Sequence, residues 1–331
     1  MVKIAFFGLE EWEISYIKKR IKGRISLFKD FDKDLRKAKD CDIISVFIYD
    51  NINENILDSL PQLKFIATRS TGFDHINIEE CRKRGIKISN VPFYGENTVA
   101  EHTFSLILAL SRKIIDSVNR TRKGDFTLEG LRGFDLKDKT IGIVGGGHIG
   151  MHVARIANGF EMKTLVYDIN KDKRLAKKYH FKYNSFDYLL SNSDIITLHV
   201  PLNKYTKHLI DFKNINKIKK GALLINTSRG GIVETEAIIN ALDKKIIAGA
   251  GLDVLEGECF VREERQLLHS KFAKECDLRT QLENNILLRR ENVIITPHNA
   301  FNSKEALQRI LDTTIDNIKG FIKKRPINIV K

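Results

Sequence analysis

Four stretches of this 331-residue chain place polar or glycine residues directly after short apolar runs. The first is Gly145-Gly146-Gly147-His148-Ile149-Gly150, which follows Ile141-Gly142-Ile143-Val144. The others are Asn226-Thr227-Ser228-Arg229-Gly230-Gly231, Asp253-Val254-Leu255-Glu256-Gly257-Glu258 and Thr296-Pro297-His298. Ligands of open α/β sheets bind beyond the carboxyl ends of the strands, where such residues would stand. Taken singly, Arg229 reads as a surface cation, Glu258 as a solvated carboxylate and His298 as a satisfied strand-end histidine. Three such positions in one domain, beside a glycine-rich turn, favour a shared site.

The glycine stretch has glycines at its first, third and sixth positions and leads into Met151-His152-Val153-Ala154-Arg155-Ile156-Ala157. Gly145 permits a tight turn, Gly147 lets backbone approach a pyrophosphate, and Gly150 allows helix and strand to pack closely. The helix N-terminus adds free N–H groups and a partial positive charge. Leu165-Val166-Tyr167-Asp168 then supplies a second strand ending in an acid. A carboxylate there binds the adenosine ribose hydroxyls and repels a 2′-phosphate, so the motif predicts NAD rather than NADP. Lys171 and Lys173 soften that preference without reversing it.

The elements that must position these residues alternate in a βαβ rhythm, which predicts parallel sheets covered by helices. Val2–Phe7, Ile43–Ile48, Leu63–Ala67 and Ile86–Ile88 read as the strands of a first series, with helical stretches such as Trp12–Ile21 between them. Ile141–Val144, Lys163–Tyr167, Asp194–His199, Ala222–Ile225, Ile247–Leu252 and Val293–Thr296 read as a second series, with helices at 148–158, 171–179 and 234–243. Residues 99–115 read as one helix, apolar enough on most sides to be buried between domains or between subunits. Lys304 to Ile322 reads as a long amphipathic helix. Residues 259–291 read as a charge-rich helical insertion.

Composition supports two globular α/β domains, with 42% hydrophobic and 30% charged residues. No apolar run reaches the length of a membrane helix, and Glu10 and Glu11 arrive too soon for a secretory segment. The formal charge of +14 admits an anionic partner, but the basic residues are scattered at helical spacing and read as a solvated surface, so no nucleic-acid partner is expected. Cys41, Cys81, Cys259 and Cys276 form no C-x-x-C pair, so no metal site is expected, and free thiols in a reducing, cytoplasmic setting are.

Together these motifs resemble the D-isomer-specific 2-hydroxyacid dehydrogenase family over essentially the whole chain. The Ser70-Thr71-Gly72-Phe73-Asp74-His75-Ile76 and Val99-Ala100-Glu101-His102 stretches also match. Asn90-Val91-Pro92-Phe93-Tyr94 and His298-Asn299-Ala300-Phe301 resemble the D-lactate dehydrogenase-like branch and its aromatic pocket. The resemblance implies catalytic roles for Arg229, which binds the substrate carboxylate and polarises the carbonyl, for His298 as general acid/base, and for Glu258 as its paired carboxylate. Glu256 is a rival for the last role, and spacing from Arg229 favours Glu258. It implies substrate contacts at Ser70, Thr71, Gly72, Tyr94, Arg229 and Phe301, with Asp74 and His75 ordering their loop. It places the cofactor against Gly145, Gly147, His148, Ile149, Gly150, Asp168, Val200, Pro201, Thr206, Thr227, Ser228, Arg229 and Asp253.

The implied fold is two doubly wound parallel-sheet domains. Residues 1–97 and 300–331 would form a discontinuous, flavodoxin-like substrate domain, and 98–299 a Rossmann NAD-binding domain, with the active site in the cleft between them. A homodimer is expected separately, as the commonest closed assembly. The implied reaction interconverts a small 2-keto acid and its (R)-2-hydroxy acid, with pyruvate and D-lactate as the expected pair. Hydroxypyruvate, glyoxylate or a bulkier keto acid is the alternative within that chemistry. An NAD-sensing, corepressor-like binding protein is the alternative outside it.

Overall fold

The computed structural model describes residues 2–48, 50–257 and 278–330. The chain divides into two compact units, Met1–Tyr94 with Ser303–Lys331, and Gly95–Asn302.

The first unit is built on β1 (Lys3–Phe6), β2 (Arg24–Leu27), β3 (Ile43–Val46), β4 (Phe65–Thr68) and β5 (Lys87–Ser89), all parallel in the order β2-β1-β3-β4-β5. Successive side chains point to opposite faces, and both faces are covered. Ile4, Phe6, Ile43 and Phe65 join a core with Ile17 of the Glu11–Arg20 helix and with Leu311, Ile315 and Ile318 of the Lys304–Ile322 helix. Ala5, Ile44, Val46, Ile66 and Ile88 pack on the other side with Leu57, Leu60 and Cys81. Phe321 stacks on Phe65 with ring centroids 4.3 Å apart. Burying Leu311, Ile315 and Ile318 fully contributes about 1.5–3 kcal/mol each, so the last helix is integral to this unit. Strand β2 carries no apolar run: its Arg24 is exposed and its other residues are half-buried at the sheet edge. Periodicity therefore does not announce it.

The second unit is built on β6 (Thr140–Val144), β7 (Lys163–Tyr167), β8 (Lys182–Tyr183), β9 (Ile195–Leu198), β10 (Ala222–Asn226), β11 (Ile247–Leu252) and β12 (Val293–Ile295). All pairs are parallel, in the order β12-β11-β10-β9-β6-β7-β8. Strand order reverses between β6 and β9, which opens a crevice at their carboxyl ends. The two faces again carry separate cores, Ile196, Leu198, Leu224 and Leu252 on one and Ile141, Ile143, Ile195 and Ile225 on the other.

The apolar stretch 99–115 is not one helix. A helix spans Glu96–Ser111, and a second spans Ile114–Arg122 after Lys113 turns left-handed at φ +55°. The returning chain ends the first helix: Phe134 N–H donates to the Ser111 carbonyl, and a side chain at Gly133 would stand 2.1 Å from that oxygen. The first helix packs against the His148–Gly159 helix and against β10, β11 and β12, so its apolar face is filled within the second unit. The second helix has no buried residue, and Ile114, Ile115 and Val118 are exposed. Of the charge-rich 259–291 stretch, the described part contains the Leu278–Leu288 helix, and Cys259 and Cys276 lie outside the described residues.

The ends of β10 and β11 are pressed together by a glycine. A Cβ on Gly230 would lie 2.0 Å from the Leu255 carbonyl carbon and oxygen, whereas one on Gly231 meets nothing closer than 3.4 Å. Gly230→Ala is expected to lower stability by roughly 1–3 kcal/mol, read as a reduced urea midpoint. Gly231→Ala is expected to stay within about 0.5 kcal/mol of the parent. Equal midpoints for the two variants would mean that the backbone yields freely at this contact.

Candidate active site

At the carboxyl end of β6 the chain turns through Gly145, whose φ is +103°. A side chain there would strike the His199 carbonyl at 2.3 Å, and one on Gly150 would strike the Gly145 carbonyl at 2.0 Å. A Cβ on Gly147 would meet nothing within 4 Å, so the middle glycine faces open space over the N-terminus of the His148–Gly159 helix. First-turn N–H groups of a helix have no intrahelical acceptor, and those of His148, Ile149 and Gly150 stand at this terminus. Asp168, just past β7, accepts from Gly146 N–H at 2.6 Å and Asn170 N–H at 2.7 Å, which fixes its carboxylate across the glycine turn. Open space above a helix N-terminus, with a carboxylate at its side, fits a pyrophosphate and a ribose diol.

Other residues expected against the cofactor build the floor of this crevice. Val200 lies against Gly145. The Thr206 hydroxyl donates to the Pro201 carbonyl and accepts from Asn203 N–H, closing a turn after β9. The Ser228 hydroxyl donates to the Leu198 carbonyl at 2.6 Å, and Thr227 meets Thr103 hydroxyl to hydroxyl at 3.1 Å. Asn226 then ties the next turn, accepting from Ser228 N–H and donating to the Arg229 carbonyl. An amide that can both donate and accept is suited to closing such a turn, a demand that its place in the sequence does not announce.

Arg229 is half-buried, and its guanidinium donates to the Ser228 carbonyl at 2.8 Å. The Gly230 contact holds its turn against the exit of β11. His298 reaches the same exit from β12. Its N–H donates to the carbonyls of Asp253 and Thr296, both at 2.9 Å, and its φ is +52°. The turn that carries Arg229 and the His298 backbone, 69 positions apart in sequence, thus both lie against the segment that follows β11.

Asp253 opens that segment and is completely buried. Its carboxylate accepts from the Thr296 hydroxyl, Asn299 N–H and Ala300 N–H. Glu256, the rival for the paired-carboxylate role, has both oxygens engaged elsewhere, one by His208 and the other by the Thr235 hydroxyl and N–H. His208 carries no motif and was invisible in the sequence. Glu258 lies outside the described residues. Phe301 follows the His298 turn, with its Cβ 3.9 Å from where a side chain on Gly95 would begin. Among the described residues no group of acids, histidines and cysteines could hold a metal ion.

In the first unit, Ser70, Thr71 and Gly72 form the loop after β4. The hydroxyls serve the loop itself: Ser70 donates to the Gly72 carbonyl and Thr71 to the Val91 carbonyl. Thr68 joins Ser70 and His75, which shows how His75 orders the loop. The Thr71 and Gly72 N–H groups donate to no backbone or side-chain acceptor among the described residues. Adjacent N–H groups of this kind suit an anion. Tyr94 accepts at its carbonyl from Arg309.

Burial pushes the His199 imidazole down to about 3, and its enclosed Nδ1 has no hydrogen-bond partner. The ring beside the glycine turn is therefore neutral. Between about pH 6.5 and pH 3 the unfolded chain binds a proton here that the folded chain refuses. The stabilisation is complete above the unfolded value and is lost as pH falls. His199→Asn is expected to make unfolding free energy less steep between pH 6 and 4, by up to about 1.4 kcal/mol per pH unit. Superimposable curves would show that the folded protein protonates this ring.

Residues 104–300 match the family model described as "D-isomer specific 2-hydroxyacid dehydrogenase, NAD binding domain". A 2-hydroxyacid dehydrogenase homolog of Haemophilus influenzae is 35% identical over 96% of this chain and 95% of its own length. A glyoxylate reductase of Thermococcus litoralis is 35% identical, covering 89% of this chain and 85% of its own. The structure of D-lactate dehydrogenase from Aquifex aeolicus, complexed with NAD and lactic acid, superposes with a TM-score of 0.85 at 35% identity over 98% of this chain and 96% of that one. The glycine turn, the carboxylate beside it and this likeness along almost the whole chain agree: the protein belongs to the D-isomer specific 2-hydroxyacid dehydrogenase family, and the match to that family's NAD-binding domain model falls within its second unit.

Proposed function

We propose that the protein interconverts a small 2-keto acid and its (R)-2-hydroxy acid, with pyruvate and D-lactate as the preferred pair. The observation that carries this reading is that the Arg229 turn and the His298 backbone both lie against one segment beyond β11, in the unit that holds the dinucleotide turn. Gly145, Gly147, His148, Ile149 and Gly150 hold the cofactor's pyrophosphate, and Asp168 its adenosine ribose. Val200, Pro201, Thr206, Thr227, Ser228, Arg229 and Asp253 line its nicotinamide side. When bound, NADH supplies hydride chemistry.

Arg229 matches a carboxylate with a planar fork that keeps its proton near neutrality. In the same pose its charge polarises the neighbouring carbonyl. His298 donates the proton that the carbonyl oxygen acquires on reduction, and its neutral ring removes that proton in the reverse direction. Glu258 is assigned as the carboxylate that pairs with His298, since Glu256 is held by His208 and Thr235. Ser70, Thr71 and Gly72 bind the substrate carboxylate through their loop's N–H groups, and Tyr94 and Phe301 bound its side chain. An apolar boundary favours a methyl group over a phosphorylated chain. The glyoxylate reductase likeness keeps glyoxylate as the second candidate.

We also infer a homodimer. Ile114, Ile115, Val118, Phe126 and Leu128 are exposed close together in sequence, the last two at 76% and 83%, and such apolar clusters mark association surfaces. No helix among the described residues is long and apolar enough to cross a membrane. Cys41 and Cys81 are buried free thiols, which supports a cytoplasmic, reducing location.

The direct test is NADH oxidation against pyruvate, glyoxylate, hydroxypyruvate, 3-phosphohydroxypyruvate and phenylpyruvate. Pyruvate is expected to lead, and His298→Ala to lose at least about 100-fold in kcat. Silence across the panel despite NADH binding would sink the reading. Arg229→Gln is expected to lose most turnover and to weaken keto-acid binding more than NADH binding. Between the two glutamates, Glu258→Gln is expected to lower kcat and Glu256→Gln chiefly the melting temperature. The opposite pattern would transfer the pairing role to Glu256. Sedimentation is expected to give twice the monomer mass, and Ile115→Glu with Val118→Glu the monomer.

A further inference from the structure

We infer that His102 is a positioning residue for the proposed acid/base His298, acting through Thr296 and Asp253; the inference rests on the reading above. His102 lies on the Glu96–Ser111 helix, with its Nε2 3.1 Å from the Thr296 hydroxyl oxygen and 3.5 Å from Asp253 Oδ1. The Thr296 hydroxyl stands 2.5 Å from Asp253 Oδ1.

Proton counting sets the direction of the chain. The carboxylate can only accept, so the single Thr296 proton points to Asp253. The Thr296 oxygen is left as acceptor, and His102 must present Nε2–H to it. The same Asp253 oxygen accepts Asn299 N–H at 3.0 Å, and its partner oxygen accepts Ala300 N–H at 2.8 Å. Those two N–H groups follow His298 directly. The Asp253 and Thr296 carbonyls accept the His298 N–H itself.

This arrangement explains a backbone that would otherwise be disfavoured. His298 sits at φ +52°, where a side chain with a Cβ is strained, and the buried carboxylate holds the following peptides in the matching orientation. Rotation of Asp253 would release Asn299 and Ala300 and let His298 relax. Thr296 restrains that rotation from one side, and His102 restrains Thr296. The helix end carrying His102 is thereby linked, through Thr296 and Asp253, to the aim of the acid/base ring.

The experiment compares His102→Ala, His102→Gln, Thr296→Val, Thr296→Ser and the Ala/Val double variant on the best keto acid of the parent. His102→Ala and Thr296→Val are each expected to lose roughly tenfold in kcat, with NADH affinity by fluorescence changed less than about twofold. His102→Gln, which keeps a donor near the Nε2 position, and Thr296→Ser, which keeps the hydroxyl, are expected to recover most of the loss. The double variant is expected to be no slower than the slower single variant, since both break one chain. Nitrogen-15 NMR of the imidazoles is expected to show Nε2 of His102 protonated.

His102→Ala within twofold of the parent would overturn the inference. So would His102→Gln as slow as His102→Ala, multiplied losses in the double variant, or a His102 ring protonated at Nδ1 alone. If the parent turns over no keto acid, the proposed function fails while the protonation of His102 still decides the hydrogen-bond chain.

Discussion

One fully buried carboxylate organises the chemistry-bearing end of the second unit. Asp253 is shut off from bulk solvent, and burying a carboxylate without hydrogen-bond donors would cost several kcal/mol. The donors it finds are two consecutive backbone N–H groups and a hydroxyl, all from the segment after β12. Their convergence brings His298 alongside β11. The backbone N–H of Asp253 in turn bonds to Asn226, at the end of β10 and three residues before Arg229. A group that appears only as part of a strand end in the sequence is thus the node through which β10, β11 and β12 share geometry.

The glycines play the complementary part, since they mark where backbones need to touch. Gly145, Gly150 and Gly230 each occupy positions where a methyl group would fall within 2.3 Å of a carbonyl oxygen. Side chains elsewhere in the unit separate strands and helices by their own bulk. At these three points contact is direct, and so the dinucleotide turn and the Arg229 turn are rigid without any cross-link. Gly147 differs because the space in front of it is open.

Legibility in the sequence followed the range of the forces involved. The glycine turn and Asp168 were readable because a tight turn, a helix start and a strand-end acid are local demands. The strands with apolar runs were readable for the same reason, as was the amphipathic helix Lys304–Ile322. Strand β2 was not, because an edge strand of Arg24-Ile25-Ser26-Leu27 owes its conformation to pairing with β1 rather than to its own pattern. The break at Lys113 was hidden because a segment 20 residues later, at Gly133 and Phe134, ends the helix. His208 carries no local signature, and neither its partner Glu256 nor His102's partner Thr296 is visible from the sequence, since they lie 48 and 194 residues away.

The last helix carries a consequence for biosynthesis. Leu311, Ile315, Ile318 and Phe321 cover one face of the sheet to which Ile4, Phe6 and Phe65 belong, and Val330 N–H bonds to the Ile88 carbonyl. A ribosome delivers the first 94 residues well before the segment from Ser303 that supplies their missing layer. The intervening unit is continuous and acquires its core as it emerges, whereas the first-made sheet must wait with an apolar face uncovered. The nascent chain is therefore most exposed to misassociation at its first-made sheet, and delivery of the Lys304–Ile322 helix is the event that covers it.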